Sequence, residues 1–342
     1  DINWGNMVYA GKIMGLSAYG EIDKDLYEKL SEFYKNTKKD DINACYERYQ
    51  KEVGISSRLP GIKNLARTNQ HVFEDLFEEV AKPYLDKYPD LPVHIVGGCG
   101  LNILNNSRLR KNRKVFVSPN TNDTGIAVGA ICSILKPNKI DVTYKGSPVW
   151  DQSMLPYYIG SNDILPFNTL IEDICDNKII GIVNGRGEHG PRALGNRSII
   201  CTPKEGMKDV LNFKVKNREF FRPFAPIVRL EDVGKYFTHD IESRWMTFST
   251  GVKNEYRSDL TSVVHADDTA RVQTITKEQN WFMHSILTCM EKKGLIPVLI
   301  NTSFNVAGKP ILNTYKEAIE VFNSTQMDGL VLERNYIKRR SL

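Results

Sequence analysis

Long hydrophobic runs, paired cysteines and a signal peptide are all missing from this sequence. No stretch reaches the roughly 18 apolar residues of a transmembrane helix, so we expect no membrane span and no membrane partner. The amino terminus lacks the basic and apolar regions of a secretory signal. The six cysteines show neither a CxxC pair nor zinc-ribbon spacing, which is typical of reduced core thiols: Cys45, Cys99, Cys132, Cys175, Cys201 and Cys289. These absences predict a cytoplasmic globular protein.

An excess of one charge is also lacking. The net charge is only +5, and the dense basic runs are confined to residues 108–114 and 338–340. Nucleic-acid-binding domains concentrate positive charge on one face. We therefore disfavour nucleic acid as a partner and expect a solvated surface with local sites for anionic ligands.

The 342 residues suffice for two domains, and hydrophobic patterning predicts an α/β fold in each. The first, residues 1–140, combines helices with two short strands: helices over 25–37, 40–53 and 64–88, strands over 91–96 and 115–117, and an apolar helix over 126–135. Three prolines in 136–156 predict a linker. The second domain, residues 147–342, alternates strands and helices: helix 165–176, strand 178–183, strand 296–300, helix 316–325 and strand 329–332.

Four segments of the second predicted domain are rich in cations, amides and glycine. They are residues 185–198, 214–226, 265–273 and 301–306. Glycine lets a backbone approach a ligand closely, and the guanidinium fork matches phosphate or carboxylate oxygens. Neither a carboxylate pair nor a Ser-His-Asp set accompanies them, which disfavours an acid–base hydrolase. Each segment alone also fits a basic surface turn, but together they predict a site for a phosphorylated ligand with a planar amide or carboxylate.

Two motifs of the first predicted domain are compatible with nucleotide or metal binding. Gly97 and Gly98 follow the strand over 91–96, as in phosphate-binding turns. Asp123 opens the helix over 126–135, where an aspartate either caps the helix or holds a metal or nucleotide. The sequence alone leaves both roles of Asp123 open.

Together and in this order, the motifs resemble the O-carbamoyltransferases that modify nodulation factors, cephamycin-type antibiotics and tobramycin. The resemblance is carried by the four segments named above and by three motifs of the first domain: residues 12–20, 97–102 and 123–125. The matching motifs span nearly the whole chain, which makes the set more specific than any single motif.

The resemblance implies an α/β fold made of two modules. The C-terminal part of an actin-like ATPase (Kae1-like) domain over 1–140 would be followed by a YrdC-like α/β domain over 147–342. The YrdC-like domain would join carbamoyl phosphate and ATP into carbamoyl adenylate. The Kae1-like domain would then transfer the carbamoyl group to a hydroxyl of a small-molecule acceptor.

The resemblance also implies roles for individual residues. Lys216, Arg192 and Arg222 would be catalytic. Seven side chains would bind carbamoyl phosphate or the adenylate: Arg192, Arg197, Lys216, Arg222, Arg271, Asn301 and Ser303. The nucleotide, with Mg²⁺, would lie near Gly97, Gly98 and Asn102, and Asp123 would bind a divalent metal such as Fe²⁺ in the Kae1-like site.

The sequence departs from the family pattern at three points. No two of its six histidines form the HxxxH pair of the family's metal site, so we expect a preceding segment or a separate chain to supply that pair. Ala307 and Lys309 stand where the family commonly has Arg-Gly-Glu-Pro, which removes one expected anion contact. His189 stands where an aromatic residue is more usual.

Two other functions stay open at this point. A threonylcarbamoyl-adenylate-type enzyme of transfer-RNA modification has both module types but uses bicarbonate and threonine. A degenerate nucleotide-binding subunit would bind ATP without forming an adenylate. The sequence identifies neither the acceptor nor whether the chain forms a homodimer.

Overall fold

The computed structural model describes residues 10–36, 59–160, 164–240 and 242–339, without the side chains of residues 59 and 60. The chain divides into two compact units. The first comprises Asp1–His94, Leu104–Phe116 and His265–Asp267, and the second comprises Ile95–Ile103, Val117–Val264 and Asp268–Leu342. This division differs from the predicted boundary between residues 140 and 147, because 95–103 and 117–140 pack with the second unit.

The first unit is helical. Its helices are α1 (Ala10–Leu16), α2 (Lys24–Asn36) and α3 (Leu59–Lys87), followed by α4 (Ile103–Arg110), whose first residue belongs to the second unit. A small apolar core joins α2 to α3: Leu30, Phe33, Leu65 and Val72. Arg108 ties α4 to α3 through ion pairs of 2.7 Å to Asp75 and 2.6 Å to Glu78. The predicted helices over 25–37 and 64–88 are thus found, whereas the helix over 40–53 lies outside the described residues.

Two short strands and an apolar helix follow. Strands β1 (Val93–Ile95) and β2 (Val115–Val117) pair with each other, and α5 (Ile126–Leu135) comes after a 3-10 turn at Asp123–Gly125. Within the described ranges, no helix is both long and apolar enough to cross a bilayer.

A mixed seven-stranded sheet forms the centre of the second unit. Its strands are β3 (Ile180–Val183), β4 (Arg197–Cys201), β5 (Ala225–Arg229), β8 (Gln273–Ile275), β9 (Val298–Ser303), β10 (Gly329–Leu332) and β11 (Asn335–Lys338). Their order is β11-β10-β3-β4-β9-β5-β8, with the β3–β10 and β5–β8 pairs parallel and the others antiparallel. Strands β6 (Thr250–Gly251) and β7 (Thr269–Ala270) form a separate pair.

Both faces of this sheet are covered. Its helices are α6 (Leu155–Ile159), α7 (Phe167–Cys175), α8 (Met207–Val210), α9 (Val233–Tyr236), α10 (Trp281–Lys292) and α11 (Tyr315–Ser324). Because side chains alternate along a strand, Leu299 joins the core under α7 and α10, whereas its neighbours Val298 and Ile300 join the core that includes α11. Continuous apolar strands such as β3 are typical of a sheet buried on both sides.

The segment over 136–156 is not a free linker, contrary to the prediction. The backbone N–H of Gly146 donates to Gly187 O at 3.0 Å, and that of His189 donates to Thr143 O at 2.9 Å. Prolines and polar residues suggested an exposed connection, but here the backbone hydrogen bonds are made with the segment over 185–198. The segment over 136–156 therefore packs against the segment over 185–198.

Candidate active site

Cationic side chains from three segments of the second unit come together beside the sheet. Arg192 precedes β4, Arg271 precedes β8, and Lys216, Arg218 and Arg222 lie between α8 and β5. Burial, and then the charges of three cluster arginines, lower the pKa of Arg271 well below its usual value. Burial followed by the charges of Arg218 and Arg222 does the same to the pKa of Lys216. These five residues form the cation cluster.

Among the residues that the structure describes, little negative charge lies around the cation cluster. The electrostatic neighbours that shift the pKa of Arg192, Lys216 and Arg271 are all cations. Glu219 offsets them in part, with its Oε2 3.7 Å from NH1 of Arg222. Since a guanidinium stays protonated in proteins, crowding these charges costs electrostatic free energy that an anionic ligand would relieve.

Arg218 belongs to the cluster but was not among the predicted site residues. Its guanidinium carbon lies 4.2 Å from the ring centre of Phe224, and its Nε donates to Asn212 Oδ1 at 2.7 Å. Burial, and then the charge of Arg222, lower its pKa to about 9. Its position two residues after Lys216 in the same basic segment was the available signal.

The buried polar atoms near the cluster include two donors and one acceptor that have no hydrogen-bond partner among the described residues. The donors are Arg271 Nε and Asn212 Nδ2, and the acceptor is the amide oxygen Asn301 Oδ1. Buried polar groups are nearly always satisfied in native proteins. A ligand that carries both anionic oxygens and an N–H group would satisfy donors and acceptor alike.

The ammonium group of Lys216 donates hydrogen bonds to other residues of the protein. Its Nζ donates to Ser303 O at 2.7 Å and to O and Oδ1 of Asn305 at 2.8 and 2.6 Å. It ends a π-helical turn over Leu211–Lys216 that Asn217 closes at a φ of 44°. An ammonium has three protons, so in this arrangement Lys216 fixes the end of β9. Its predicted direct contact with ligand stays a prediction.

Arg197 differs more clearly from its predicted role. Its side chain is buried, and its guanidinium donates to the carbonyls of Asn184, Gly185 and Asn196 and to Asn313 Oδ1, at 2.9 to 3.4 Å. All five N–H groups of an arginine are accounted for by these contacts. Arg197 therefore clamps the two ends of the loop that carries Arg192, and the contacts do not favour a direct role in binding.

Glu188 is a second residue that the sequence reasoning missed. Its Oε1 accepts hydrogen bonds from the backbone N–H groups of Leu194, Asn196 and Arg197 at 2.6, 2.7 and 3.2 Å. A carboxylate that receives several backbone N–H groups is a strong anchor. It folds the loop over 188–197 and so determines where Arg192 lies. A glutamate inside a glycine- and arginine-rich loop was the available signal.

Asn301 lies on the interior strand β9, between β4 and β5. Its Nδ2 donates to Gln273 Oε1 at 2.6 Å and to Ala193 O at 3.2 Å, beside Arg192. Ser303, on the same strand, is bonded to Lys216. The structure thus joins the predicted residues Asn301 and Ser303 to the segments that bear Arg192 and Lys216.

The predicted nucleotide and metal residues lie in a different part of the second unit. Gly97 has a φ of 83°, and the space beside Gly97 and Gly98 is open, which suits a backbone that approaches a ligand. Asn102 follows the 3-10 turn over Gly98–Leu101. Asp123 is exposed, and the described residues contain no group of three or more acidic, histidine or cysteine side chains that could hold a metal. These residues alone do not make a metal site.

Comparison with known families gives two matches that together cover most of the chain. A model described as "Carbamoyltransferase C-terminus" matches residues 171–339. A model described as "Carbamoyltransferase N-terminus" matches residues 3–132. The C-terminal match contains the whole cation cluster.

Curated relatives agree with these matches. The chain is 30% identical to the nodulation protein NolNO of Sinorhizobium fredii, which it matches over 96% of its own length and 53% of the relative's. It is 32% and 31% identical to the 3'-hydroxymethylcephem-O-carbamoyltransferases of Amycolatopsis lactamdurans and Streptomyces clavuligerus, over 96% of this chain and 65% of each relative. The chain therefore spans between half and two thirds of the length of these relatives.

Proposed function

The chain belongs to the carbamoyltransferase family, and on that premise we propose that the cation cluster forms carbamoyl adenylate from carbamoyl phosphate and ATP. The carbamoyl group would then pass to a hydroxyl of a small-molecule acceptor. One observation carries the proposal: five cations share a site with little negative charge and with unsatisfied buried donors.

The charge of the proposed ligands suits this site. The reaction balances if water first removes phosphate from carbamoyl phosphate and leaves carbamate. A carbamate oxygen then attacks the α-phosphorus of ATP, and pyrophosphate leaves. Each step moves or releases phosphate charge, which catalysis meets chiefly by positioning and neutralisation. Arginines cannot act as bases, so the cluster would bind and neutralise oxygens.

The carbamoyl group would supply the N–H donor that the buried acceptor near the cluster lacks. Asn301 Oδ1 is a buried acceptor without a donor in the described part of the chain. An NH₂ group on the ligand would donate to it, while Arg271 Nε–H would donate to a ligand oxygen. This pairing favours a carbamoyl over an acyl ligand at the same site.

The finer domain assignments are part of the proposal. The mixed α/β sheet of the second unit is compatible with a YrdC-like domain, and the Kae1-like assignment of the earlier segments rests on the resemblance. The relatives named as 3'-hydroxymethylcephem carbamoyltransferases support a hydroxyl as acceptor. Asp123 belongs to no group of three or more acidic, histidine or cysteine side chains within the described ranges, so its role as a metal ligand stays a prediction.

Carbamoyl-phosphate-dependent release of pyrophosphate from ATP tests the activation step. We expect Arg192→Ala and Arg271→Ala to lower the rate by on the order of 100-fold or more, since each removes a charge from the transition state. Arg257→Ala is the matched control, because Arg257 pairs with Asp268 at 3.0 Å outside the cluster. Undiminished release in both cluster variants would overturn the assignment of the site.

Replacing the substrates separates the alternative functions. Pyrophosphate release that requires threonine and bicarbonate instead of carbamoyl phosphate would favour the transfer-RNA-modification reaction. ATP binding without pyrophosphate release under either condition would favour a nucleotide-binding subunit.

A further inference from the structure

Gln273 lies between the loop that carries Arg192 and the interior strand β9. It is the first residue of β8, and its side chain is 1% exposed. Its Nε2 donates to Leu194 O at 2.8 Å, and its Oε1 accepts from Asn301 Nδ2 at 2.6 Å. Gln273 therefore connects two parts of the site through one amide group.

These contacts fix the orientation of two side-chain amides, first that of Gln273 and then that of Asn301. A backbone carbonyl can only accept a hydrogen bond, so the NH₂ end of Gln273 must face Leu194 O. Its oxygen then faces Asn301 and can only accept, so the NH₂ end of Asn301 must face Gln273. The second proton of Asn301 Nδ2 goes to Ala193 O at 3.2 Å. The orientation of Asn301 thus follows from two backbone carbonyls, directly from that of Ala193 at 3.2 Å and, through Gln273 at the shorter distance of 2.6 Å, from that of Leu194.

The remaining atom of this relay is Asn301 Oδ1. It is buried and has no donor among the described residues, while Asn301 as a whole is 1% exposed. The reverse orientation of Asn301 would set its oxygen against Gln273 Oε1 and Ala193 O, which are both acceptors. A ligand at this position therefore meets an acceptor of fixed orientation. A ligand that presents an N–H group there would gain a hydrogen bond to Asn301 Oδ1.

We propose that Gln273 is a positioning residue that locks the Asn301 amide, so that the site distinguishes carbamoyl phosphate from acetyl phosphate. The inference rests on the proposed function, because it concerns the ligand of the same site. The two compounds differ in one group, an NH₂ in carbamoyl phosphate and a methyl in acetyl phosphate. A methyl group leaves the buried acceptor without a hydrogen-bond partner, and the cost of that unpaired group weakens the binding of acetyl phosphate.

The ratio of the two dissociation constants measures this discrimination directly. With the full chain and calorimetric titration of each compound, we expect carbamoyl phosphate to bind on the order of 10- to 100-fold more tightly than acetyl phosphate. Gln273→Met removes the closer of the two acceptors that orient Asn301 and leaves only Ala193 O at 3.2 Å, so we expect the ratio to fall by about tenfold. A purely structural defect would weaken both ligands and leave the ratio unchanged.

Two further variants control the result. Gln273→Glu keeps an oxygen towards Asn301, so its added charge should shift both affinities while the ratio is retained. Thr274→Val alters the next residue of β8 and removes the buried hydrogen bond of 2.8 Å from Ser243 N to Thr274 Oγ1. Because this bond lies outside the relay, Thr274→Val should leave the ratio unchanged.

The outcomes separate the inference from the function on which it rests. An unchanged ratio in a folded Gln273→Met protein, or an equal fall in Thr274→Val, overturns the role of Gln273. Equal binding of both compounds by the parent chain also overturns it, yet leaves the proposed function standing. Failure of the parent to bind either compound overturns the proposed function itself.

Discussion

Residue type at the cation cluster could be recognised from the sequence, but the role of each residue could not. Arg192, Arg222 and Arg271 were predicted as anion contacts, and the charges of Arg192 and Arg222 do act on Arg271. Arg197 carries the same guanidinium, yet backbone carbonyls occupy its donors. The difference lies in the partners of each guanidinium, which depend on where the loops are placed.

Arg271→Met should stabilise the ligand-free protein while it abolishes anion binding. Arg271 is crowded by three cations and has an unsatisfied Nε, so an apolar side chain of similar length removes an electrostatic cost. We expect the free energy of unfolding in urea to rise by about 1–4 kcal/mol. Arg257→Met, at an exposed ion pair, should change it by less than about 0.5 kcal/mol. A loss of stability in Arg271→Met would mean that the cluster is already neutralised without a ligand.

At the scale of elements, the loop over 188–197 is shaped by two groups of opposite charge. Glu188 receives three backbone N–H groups of this loop. Arg197 donates to the carbonyl of Asn196 at the end of the loop and to those of Asn184 and Gly185, which precede it. The segment between β3 and β4 has no regular secondary structure, which its glycines permit. The sequence could not show that the charged residues would satisfy the backbone, because that depends on the fold of the loop.

Glu188→Ala should loosen this loop and weaken anion binding through Arg192. The change leaves three backbone N–H groups without their acceptor, which costs about 1–3 kcal/mol of unfolding free energy. We expect weaker binding of inorganic pyrophosphate, measured by calorimetry, together with the loss of stability. Glu205→Ala, at an exposed glutamate in the same unit, serves as the control. If Glu188→Ala bound pyrophosphate with the affinity of the wild-type protein, the hydrogen bonds of Glu188 to the loop would not be needed for ligand binding.

Helix α11 provides an independent test of the second unit. Thr314 and Glu317 form a capping box, in which Thr314 Oγ1 accepts from Glu317 N at 3.1 Å. Thr314→Ala should lower the free energy of unfolding by about 1 kcal/mol, because N-cap replacement exposes an unsatisfied N–H group. Thr314→Ser keeps the cap and should restore most of the loss in the same urea titration. Equal stability of the alanine and serine variants would contradict the cap.

At the scale of the whole molecule, ligand binding should be visible as stability. A ligand that binds only the folded state adds about 2.7 kcal/mol when its concentration is 100 times its dissociation constant. We expect carbamoyl phosphate and pyrophosphate to raise the melting temperature of the full chain in thermal denaturation. The rise should disappear in Arg271→Met, and an equal rise in both proteins would indicate binding elsewhere.

The sequence by itself determined the family and the α/β class, because residue types and their order along the chain are enough for a motif set to match. It also pointed to four of the five residues of the cation cluster, whose catalytic and binding roles stay predictions. Strands such as β3 and β10 were also predictable, since continuous apolar runs of this length need burial on both faces. Strands β4, β5 and β8 were not predicted, because β4 and β8 begin with polar residues and β5 contains a proline, which are features typical of loops. Only the tertiary structure decided that Arg218 joins the cation cluster, that Arg197 clamps a loop, and that Gln273 orients Asn301. Those roles depend on which donors and acceptors meet across segments far apart in the chain.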